Sequence, residues 1–320
     1  MNIVVLDGYT LNPGDLSWEE LHDIGETTIY ERTKYDEIIE RAENAEIILT
    51  NKTVLTKDVL NQLPNLKYIG VLATGFNVVD IEKAAEKNIV VTNVPSYSTK
   101  SVAQMVFAMI LELTLNVGLH SNSVKKGDWS SNPDFSYWKK PLIELHNLTL
   151  GIIGYGQIGN EVAKLANSFG MEILVYNRSV VNEPEEYIKQ KSLTNILELS
   201  DIVTLHLPLN DQSENMVTLK ELSKMKNSAF LINTSRGPIV NENDLANALN
   251  SDMIAGAGLD VLSTEPPSVD NPLLNAKNCF ITPHIAWATQ ASRQRLMSIA
   301  VENVKAFVNG KPINVINRLL

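Results

Sequence analysis

Short apolar runs alternate with amphipathic helical patterns along the whole chain, and this alternation limits the possible fold more than any other feature. Early runs such as "NIVVLDG", "AEIILTN" and "LKYIGVLATG" end in small or polar residues. Later runs, among them "MEILVYN", "SDIVTLHLP" and "AFLINTSRG", are apolar on both faces, as in a parallel sheet that is covered on both sides. The pattern predicts an α/β protein with two doubly wound, Rossmann-like parallel sheets.

The length of 320 residues suggests two domains. One series of strands and helices fills about the first hundred residues, and a second begins at "LTLGIIGYG". If the last helical pattern returns to the first series, residues 1–99 and 286–320 form a discontinuous substrate domain, and residues 100–285 are an inserted dinucleotide-binding domain. The chain then crosses twice between the domains, and we expect a hinge and a ligand cleft there.

Composition narrows the class of protein. A net charge of −10 without a Lys/Arg block disfavours nucleic acid as a partner. The longest apolar tract, 101–119, is interrupted by Gln104, Glu112 and Asn116, which fits a buried helix better than a membrane span. No basic region precedes the first apolar run, and the single Cys279 cannot form an intramolecular disulfide. We therefore expect a cytoplasmic protein, and the sequence predicts no metal site.

A glycine-rich segment, "GIIGYGQIGNEVAKLANSFG", follows an apolar strand and opens a helix. In this setting Gly154 allows a tight turn, Gly156 the approach of a pyrophosphate, and Gly159 the packing of helix on strand. A plain strand-to-helix turn is the alternative. The segment predicts a dinucleotide site.

The second strand of such a site normally ends in an acidic residue that binds the adenosine ribose. In "EILVYNRS" this position is Asn177, followed by Arg178. An amide still bonds a ribose hydroxyl but does not repel a 2′-phosphate, for which Arg178 offers a charge-assisted fork. The site thus admits NADP as well as NAD, unless Arg178 is only a solvated surface charge.

Three polar residues, Arg236, Glu265 and His284, each follow one of the later predicted strands. Side chains just beyond the carboxyl ends of parallel strands line the ligand crevice, so these three can converge at the nicotinamide end. Taken singly, they also fit a loop arginine, a loop glutamate and a capping histidine. Their order and setting favour a common site.

With these motifs, the chain resembles the D-isomer-specific 2-hydroxyacid dehydrogenases, and within them the glycerate dehydrogenase or hydroxypyruvate reductase branch. The resemblance runs nearly end to end, through "LATGFNVVD", "NVPSYSTKSVAQ", "GIIGYGQIG", "LINTSRGPIVNENDL", "GAGLDVLSTEPP" and "TPHIAWAT". It implies hydride transfer between NAD(P)(H) and a small 2-keto or 2-hydroxy acid, such as hydroxypyruvate/D-glycerate or glyoxylate/glycolate. Many relatives carry Asp at the position of Asn177, which leaves the choice between NAD and NADP open.

The resemblance also implies roles. Arg236 binds the substrate carboxylate, His284 supplies a proton, and Glu265 holds the imidazole. The backbone amides of Thr74 and Gly75 hold the carboxylate from the other domain, and domain closure completes the site. Further cofactor contacts are expected at Gln157, Ile158, His206, Pro208, Thr234 and Asp260, the last of which orients the nicotinamide carboxamide.

An aromatic group, Trp129, Phe135, Tyr137 and Trp138, lies in a polar segment before the glycine loop. It suggests a contact with a second chain, and the resemblance implies a homodimer; packing onto its own domain is the alternative.

Two other functions are compatible with these motifs. One is a phosphoglycerate dehydrogenase without a regulatory domain, and the other is a non-catalytic, NAD(P)-sensing protein like the corepressors that share this fold. The sequence does not determine which 2-keto acid is used.

Overall fold

The computed structural model describes residues 1–181 and 185–317, and contacts divide the chain into two units. The first unit comprises Met1–Ser98 and Ala288–Leu320, and the second comprises Thr99–Trp287. The second unit is therefore a continuous insertion in the first. That one unit serves the substrate and the other the cofactor stays a prediction.

The first unit contains a five-stranded sheet with the order β2-β1-β3-β4-β5, in which all neighbouring strands are parallel. Apart from β2, whose residues are exposed or half-buried, its strands are mostly apolar and buried, as in a sheet that is covered on both faces. The strands are β1 (Asn2–Val5), β2 (Glu26–Ile29), β3 (Ile47–Thr50), β4 (Tyr68–Val71) and β5 (Val90–Thr92), and the helices are α1 (Glu19–His22), α2 (Ile38–Ala42), α3 (Lys57–Asn61) and α4 (Ile81–Glu86).

The second unit begins with two helices and contains a seven-stranded parallel sheet. The helices are α5 (Thr99–Leu115), α6 (Val117–Lys125), α7 (Gln157–Ser168), α8 (Leu193–Leu199), α9 (Leu219–Leu222) and α10 (Glu242–Asn250). The strands are β6 (Thr149–Ile153), β7 (Glu172–Tyr176), β8 (Ile188–Gln190), β9 (Ile202–Leu205), β10 (Phe230–Asn233), β11 (Gly256–Leu259) and β12 (Cys279–Ile281).

The strand order in this sheet is β12-β11-β10-β9-β6-β7-β8. The direction of winding reverses between β6 and β9, and ligands of open α/β sheets bind where such a reversal separates the loops at the carboxyl ends of the strands. Two apolar cores pack on the sheet, one that includes residues of α5 and α7 and one that includes residues of α8 and α10. These observations confirm the predicted fold class.

The chain then returns to the first unit as α11 (Gln290–Val308). Thr289 caps this helix by accepting a hydrogen bond from Ser292 N, and Phe307 packs against Tyr68 of β4 with ring centroids 4.8 Å apart. Within the described ranges no single helix is long and apolar enough to cross a membrane, while α5 and α6 pass that test only as a pair bent by 58°.

Candidate active site

In the loop between β6 and α7 and the first turn of α7 that follows it, neighbouring backbone leaves no room for a side chain at two of the three glycines, Gly154 and Gly159. Gly154 has φ +97°, and a Cβ there would lie 2.5 Å from the carbonyl oxygen of His206. A Cβ on Gly159 would lie 2.3 Å from the carbonyl oxygen of Gly154, whereas space is open at Gly156. Helix α7 begins directly afterwards with Gln157 and Ile158, so its amide groups are available to an anion. The loop therefore fits the pyrophosphate of a dinucleotide.

The carboxyl end of β7 carries Asn177, which is half-buried, and Arg178, which is exposed. The Asn177 amide donates to the hydroxyl of Ser179 over 3.1 Å. Nη1 of Arg178 donates to Oε1 of Gln212 over 3.3 Å, so its nearest partner is a neutral amide and the guanidinium charge is uncompensated by that contact. No carboxylate occupies the Asn177 position to repel a phosphate.

His206 follows β9, next to the glycine loop. Its Nε2 lies 2.9 Å from the hydroxyl of Thr204, and burial lowers the pKa of His206 to about 3, so the imidazole is neutral at pH 7. The following Pro208 presents its carbonyl to the hydroxyl of Ser213 at 2.7 Å. Beside the glycine loop, this segment therefore presents a neutral imidazole whose ring is hydrogen-bonded to Thr204.

Asn233, the last residue of β10, organises the loop that carries Arg236. Its side-chain oxygen accepts from the Ser235 amide and hydroxyl over 3.0 and 2.8 Å, and its amide donates to the Arg236 carbonyl over 2.9 Å. Thr234 is 8% exposed, yet its hydroxyl has no partner among the described residues. A buried hydroxyl without a partner is costly, which fits a position that a bound group completes.

The three candidate catalytic residues follow three neighbouring strands. Arg236 lies three residues after β10, Glu265 follows β11 and His284 follows β12, and the sheet order is β12-β11-β10 with parallel pairing. Their loops therefore leave the same edge of the sheet, as the sequence predicts.

Two of the three are in direct contact. Nδ1 of His284 lies 2.6 Å from Oε2 of Glu265, and the side chains are 28% and 34% exposed. The other carboxylate oxygen of Glu265 accepts from the Leu262 amide over 3.2 Å. Because Nδ1 is engaged, Nε2 is the ring nitrogen free to meet a ligand. Arg236 is exposed and donates from Nη1 to the Ser235 carbonyl over 2.7 Å.

Two contacts that local patterns did not reveal hold the arginine and glutamate loops together. A Cβ on Gly237 would lie 2.0 Å from the carbonyl carbon of Leu262, so only glycine fits where these loops meet. Glu242, in the first turn of α10, accepts from the Ser263 amide over 2.6 Å and from the Asn271 side chain over 2.8 Å. In the sequence, these contacts are indicated only by the presence of Gly237 and Glu242 shortly after Arg236.

Asp260, directly after β11, is 1% exposed, and burial raises the pKa of this carboxyl, opposed by its hydrogen bonds. Oδ1 accepts from the Thr282 hydroxyl over 2.6 Å and from the Ile285 amide over 2.9 Å. Oδ2 accepts from the Ala286 amide over 2.8 Å. The carboxylate therefore binds the turn on which His284 lies.

Thr74 and Gly75 belong to the first unit, in the loop after β4. The Thr74 hydroxyl donates to the Val94 carbonyl over 2.8 Å, and the Asn93 amide donates to the Thr74 carbonyl over 2.8 Å. The backbone N–H groups of Thr74 and Gly75 donate to no acceptor among the described residues. Within residues 1–181 and 185–317, no cluster of three or more His, Cys, Asp or Glu residues is arranged to hold a metal ion.

The known proteins similar to this chain include dehydrogenases and reductases of 2-hydroxy and 2-keto acids. A family model described as "D-isomer specific 2-hydroxyacid dehydrogenase, NAD binding domain" matches residues 107–286. A hydroxypyruvate reductase from Blautia hydrogenotrophica is 49% identical over 99% of this chain and 100% of its own. A glycerate dehydrogenase from Methylorubrum extorquens is 40% identical over 98% of each chain. The structure of an NADPH-dependent glyoxylate/hydroxypyruvate reductase from Sinorhizobium meliloti, in complex with citrate, has a TM-score of 0.86 and 27% identity, and covers 98% of this chain and 97% of its own.

Fold, site and relatives together define an oxidoreductase that uses a nicotinamide dinucleotide. The chain belongs to the D-isomer-specific 2-hydroxyacid dehydrogenase family. The resemblance inferred from the sequence motifs is thereby confirmed.

Proposed function

We propose that the protein reduces a small 2-keto acid, hydroxypyruvate or glyoxylate, to the D-2-hydroxy acid with NADPH or NADH. The observation that carries this proposal is the 2.6 Å contact between His284 and Glu265, on loops that share one sheet edge with the Arg236 loop. Reduction of a 2-keto acid needs a cation for the carboxylate and a proton for the carbonyl oxygen. Arg236 and His284 have these properties.

The proposed mechanism assigns each residue one task. Arg236 binds the substrate carboxylate, a planar group that its guanidinium can hold through two hydrogen bonds. The glycine loop would hold the pyrophosphate of a nicotinamide dinucleotide, which when bound would supply the hydride that the reduction needs. His284 donates a proton from Nε2 to the carbonyl oxygen. The ring keeps its other proton on Nδ1, which donates a hydrogen bond to the Glu265 carboxylate. Glu265 thus fixes the ring orientation and stabilises its charged form before transfer.

We further propose that Thr74 and Gly75 bind the substrate carboxylate with their backbone amides, which supports a substrate role for residues 1–99 and 286–320. The absence of acceptors for these two N–H groups among the described residues is the supporting observation. Residues 100–285, which contain the glycine loop, then form the dinucleotide domain.

For the cofactor, we propose that NADPH is accepted at least as well as NADH. The half-buried Asn177 brings no negative charge, and Arg178 is exposed with only an amide partner at 3.3 Å. The Sinorhizobium meliloti relative is NADPH-dependent, which agrees with this proposal.

A homodimer is also proposed. Trp129, Phe135 and Trp138 are 52%, 91% and 67% exposed, and three exposed aromatic side chains within ten residues support a contact with a second chain. Tyr137 differs, because its hydroxyl lies 2.8 Å from that of Ser123 of α6 and so packs on its own unit. Light scattering of the wild type and Phe135→Ser tests this proposal: we expect a dimer that the variant weakens, and a monomeric wild type at micromolar concentration would contradict it.

The function is tested by steady-state rates for hydroxypyruvate, glyoxylate, 3-phosphohydroxypyruvate and a branched 2-keto acid, each with NADPH and NADH. We expect the highest kcat/KM for hydroxypyruvate or glyoxylate and a D-configured glycerate product from hydroxypyruvate. Preference for the phosphorylated acid would favour the phosphoglycerate alternative. Dinucleotide binding without turnover of any of the four acids would contradict the proposal.

A further inference from the structure

The turn that carries His284 is held in a conformation that its own sequence does not favour. His284 has φ 53°, in the left-handed region that costs energy for a residue with a Cβ. Its amide donates to the Asp260 carbonyl and is also within 2.9 Å of the Thr282 carbonyl. Such a conformation persists only when the surroundings determine it.

Asp260 supplies one part of those surroundings. Its two carboxylate oxygens accept from the Thr282 hydroxyl and from the amides of Ile285 and Ala286, on both sides of His284. These bonds fix the N–H groups of the turn but leave the Ala286 carbonyl to be satisfied by another donor.

That donor is Ser101, in the first turns of α5. Its hydroxyl donates to the Ala286 carbonyl over 2.5 Å, across 185 positions in the sequence. Ser101 and Ala286 are 5% and 3% exposed, so water does not compete for the bond. Ala286 is therefore held at its N–H by Asp260 and at its carbonyl by Ser101.

We propose that Ser101 is a positioning residue for the reaction: by anchoring the Ala286 carbonyl to α5, it keeps the His284 imidazole aligned with Glu265 and with the substrate oxygen. The inference rests on the proposed function, because it assigns a consequence for proton donation to the contact between Ser101 and Ala286. Ser101 itself touches none of the reacting groups in this account.

The test compares Ser101→Ala with a matched control on the same helix. Thr114 is fully buried in α5, and its hydroxyl donates to the Ile110 carbonyl over 2.8 Å, so Thr114→Val also removes a buried hydroxyl from a backbone carbonyl. Three properties are measured for both variants: steady-state kinetics with hydroxypyruvate, the Kd for NADPH, and amide hydrogen exchange of residues 282–288 without ligands.

For Ser101→Ala we expect kcat to fall roughly tenfold, the scale of a misplacement of less than 1 Å, with the Kd for NADPH within about twofold of wild type. Amide exchange in 282–288 should accelerate before any ligand is added. Ser101→Thr, which keeps a hydroxyl, should restore most of kcat.

Thr114→Val should lower stability without changing kcat. The inference is overturned if Ser101→Ala keeps kcat within twofold of wild type, or if Thr114→Val lowers kcat equally, since both results reduce Ser101 to a stabilising contact. A wild type that reduces none of the 2-keto acids would instead contradict the proposed function, and the exchange measurement would then stand alone as the test of the anchor.

Discussion

His284 and Glu265, 19 residues apart in the sequence, lie 2.6 Å apart between Nδ1 and Oε2. The contact forms because β11 and β12 are adjacent and parallel, so the loops that follow them leave the same edge of the sheet. Partial exposure of both side chains leaves Nε2 accessible to a ligand. Nε2 of His284 can therefore meet a ligand while Nδ1 is held by Glu265.

Replacement of Glu265 by Gln should lower kcat for keto-acid reduction by on the order of 10- to 100-fold, because a neutral amide aligns and stabilises the charged ring less well. The Kd for the cofactor should change little. Stopped-flow rates and cofactor titrations measure the two quantities. Glu198→Gln, at an exposed position of α8, is the control, and a wild-type kcat in Glu265→Gln would separate Glu265 from His284.

Arg236→Lys should raise KM for the keto acid strongly and lower kcat, since an ammonium cannot reproduce the bidentate contact of a guanidinium with a carboxylate. Steady-state kinetics at saturating cofactor measure this. Arg32→Lys, a substitution of an exposed arginine in the first unit, should leave the kinetics unchanged. Wild-type kinetics in Arg236→Lys would mean that the substrate carboxylate binds elsewhere.

The cofactor proposal predicts opposite effects at two neighbouring positions. Asn177→Asp should shift the ratio of kcat/KM toward NADH by about tenfold or more, equal to roughly 1.4 kcal/mol, because a carboxylate binds the ribose hydroxyls and repels the 2′-phosphate. Arg178→Ala should weaken NADPH more than NADH, and less so at high salt. Gln212→Ala, which removes the partner of Arg178, serves as a control for loop damage. Strict use of NADH by the wild type, with no response to Arg178→Ala, would show that Arg178 only faces solvent.

His206 gives a prediction for stability. Burial lowers its pKa in the folded protein to about 3, below the ordinary value of 6.5. Between these two pH values His206 therefore binds a proton in the unfolded chain but not in the folded protein. The free energy of unfolding should therefore fall as the pH drops below about 6.5, and His206→Asn should remove at most about 2 kcal/mol of that loss between pH 6.5 and 5. Urea titrations at the two pH values measure it, with the exposed His22→Asn as control. Equal pH dependence in wild type and His206→Asn would mean that this imidazole is not buried in a neutral form.

The sequence predicts the parts of this site that depend on local chemistry and strand order. The glycine loop is recognisable because close backbone approach at Gly154 and Gly159 permits no side chain. Arg236, Glu265 and His284 are recognisable because each follows an apolar strand and parallel strands end at one edge.

Contacts between distant segments are what the sequence does not reveal. Nothing near Ser101 in the chain indicates a hydrogen bond to a carbonyl 185 positions away. The left-handed φ of His284 could not be predicted either, because the residue at that position is not a glycine. In the sequence Gly237 resembles an ordinary loop glycine, and only the structure shows that the Leu262 backbone leaves no room for a side chain there. These features depend on tertiary packing, which a period of apolar residues does not encode.

The central claim is that His284 donates the proton in keto-acid reduction, and single turnover of His284→Ala with bound NADPH and saturating hydroxypyruvate tests it most directly. We predict that the rate of NADPH oxidation falls on the order of 10²- to 10⁴-fold while the Kd for NADPH stays within about twofold of wild type, because the imidazole acts on the substrate oxygen and not on the cofactor. A variant that oxidises NADPH at a rate close to that of the wild type would contradict the account.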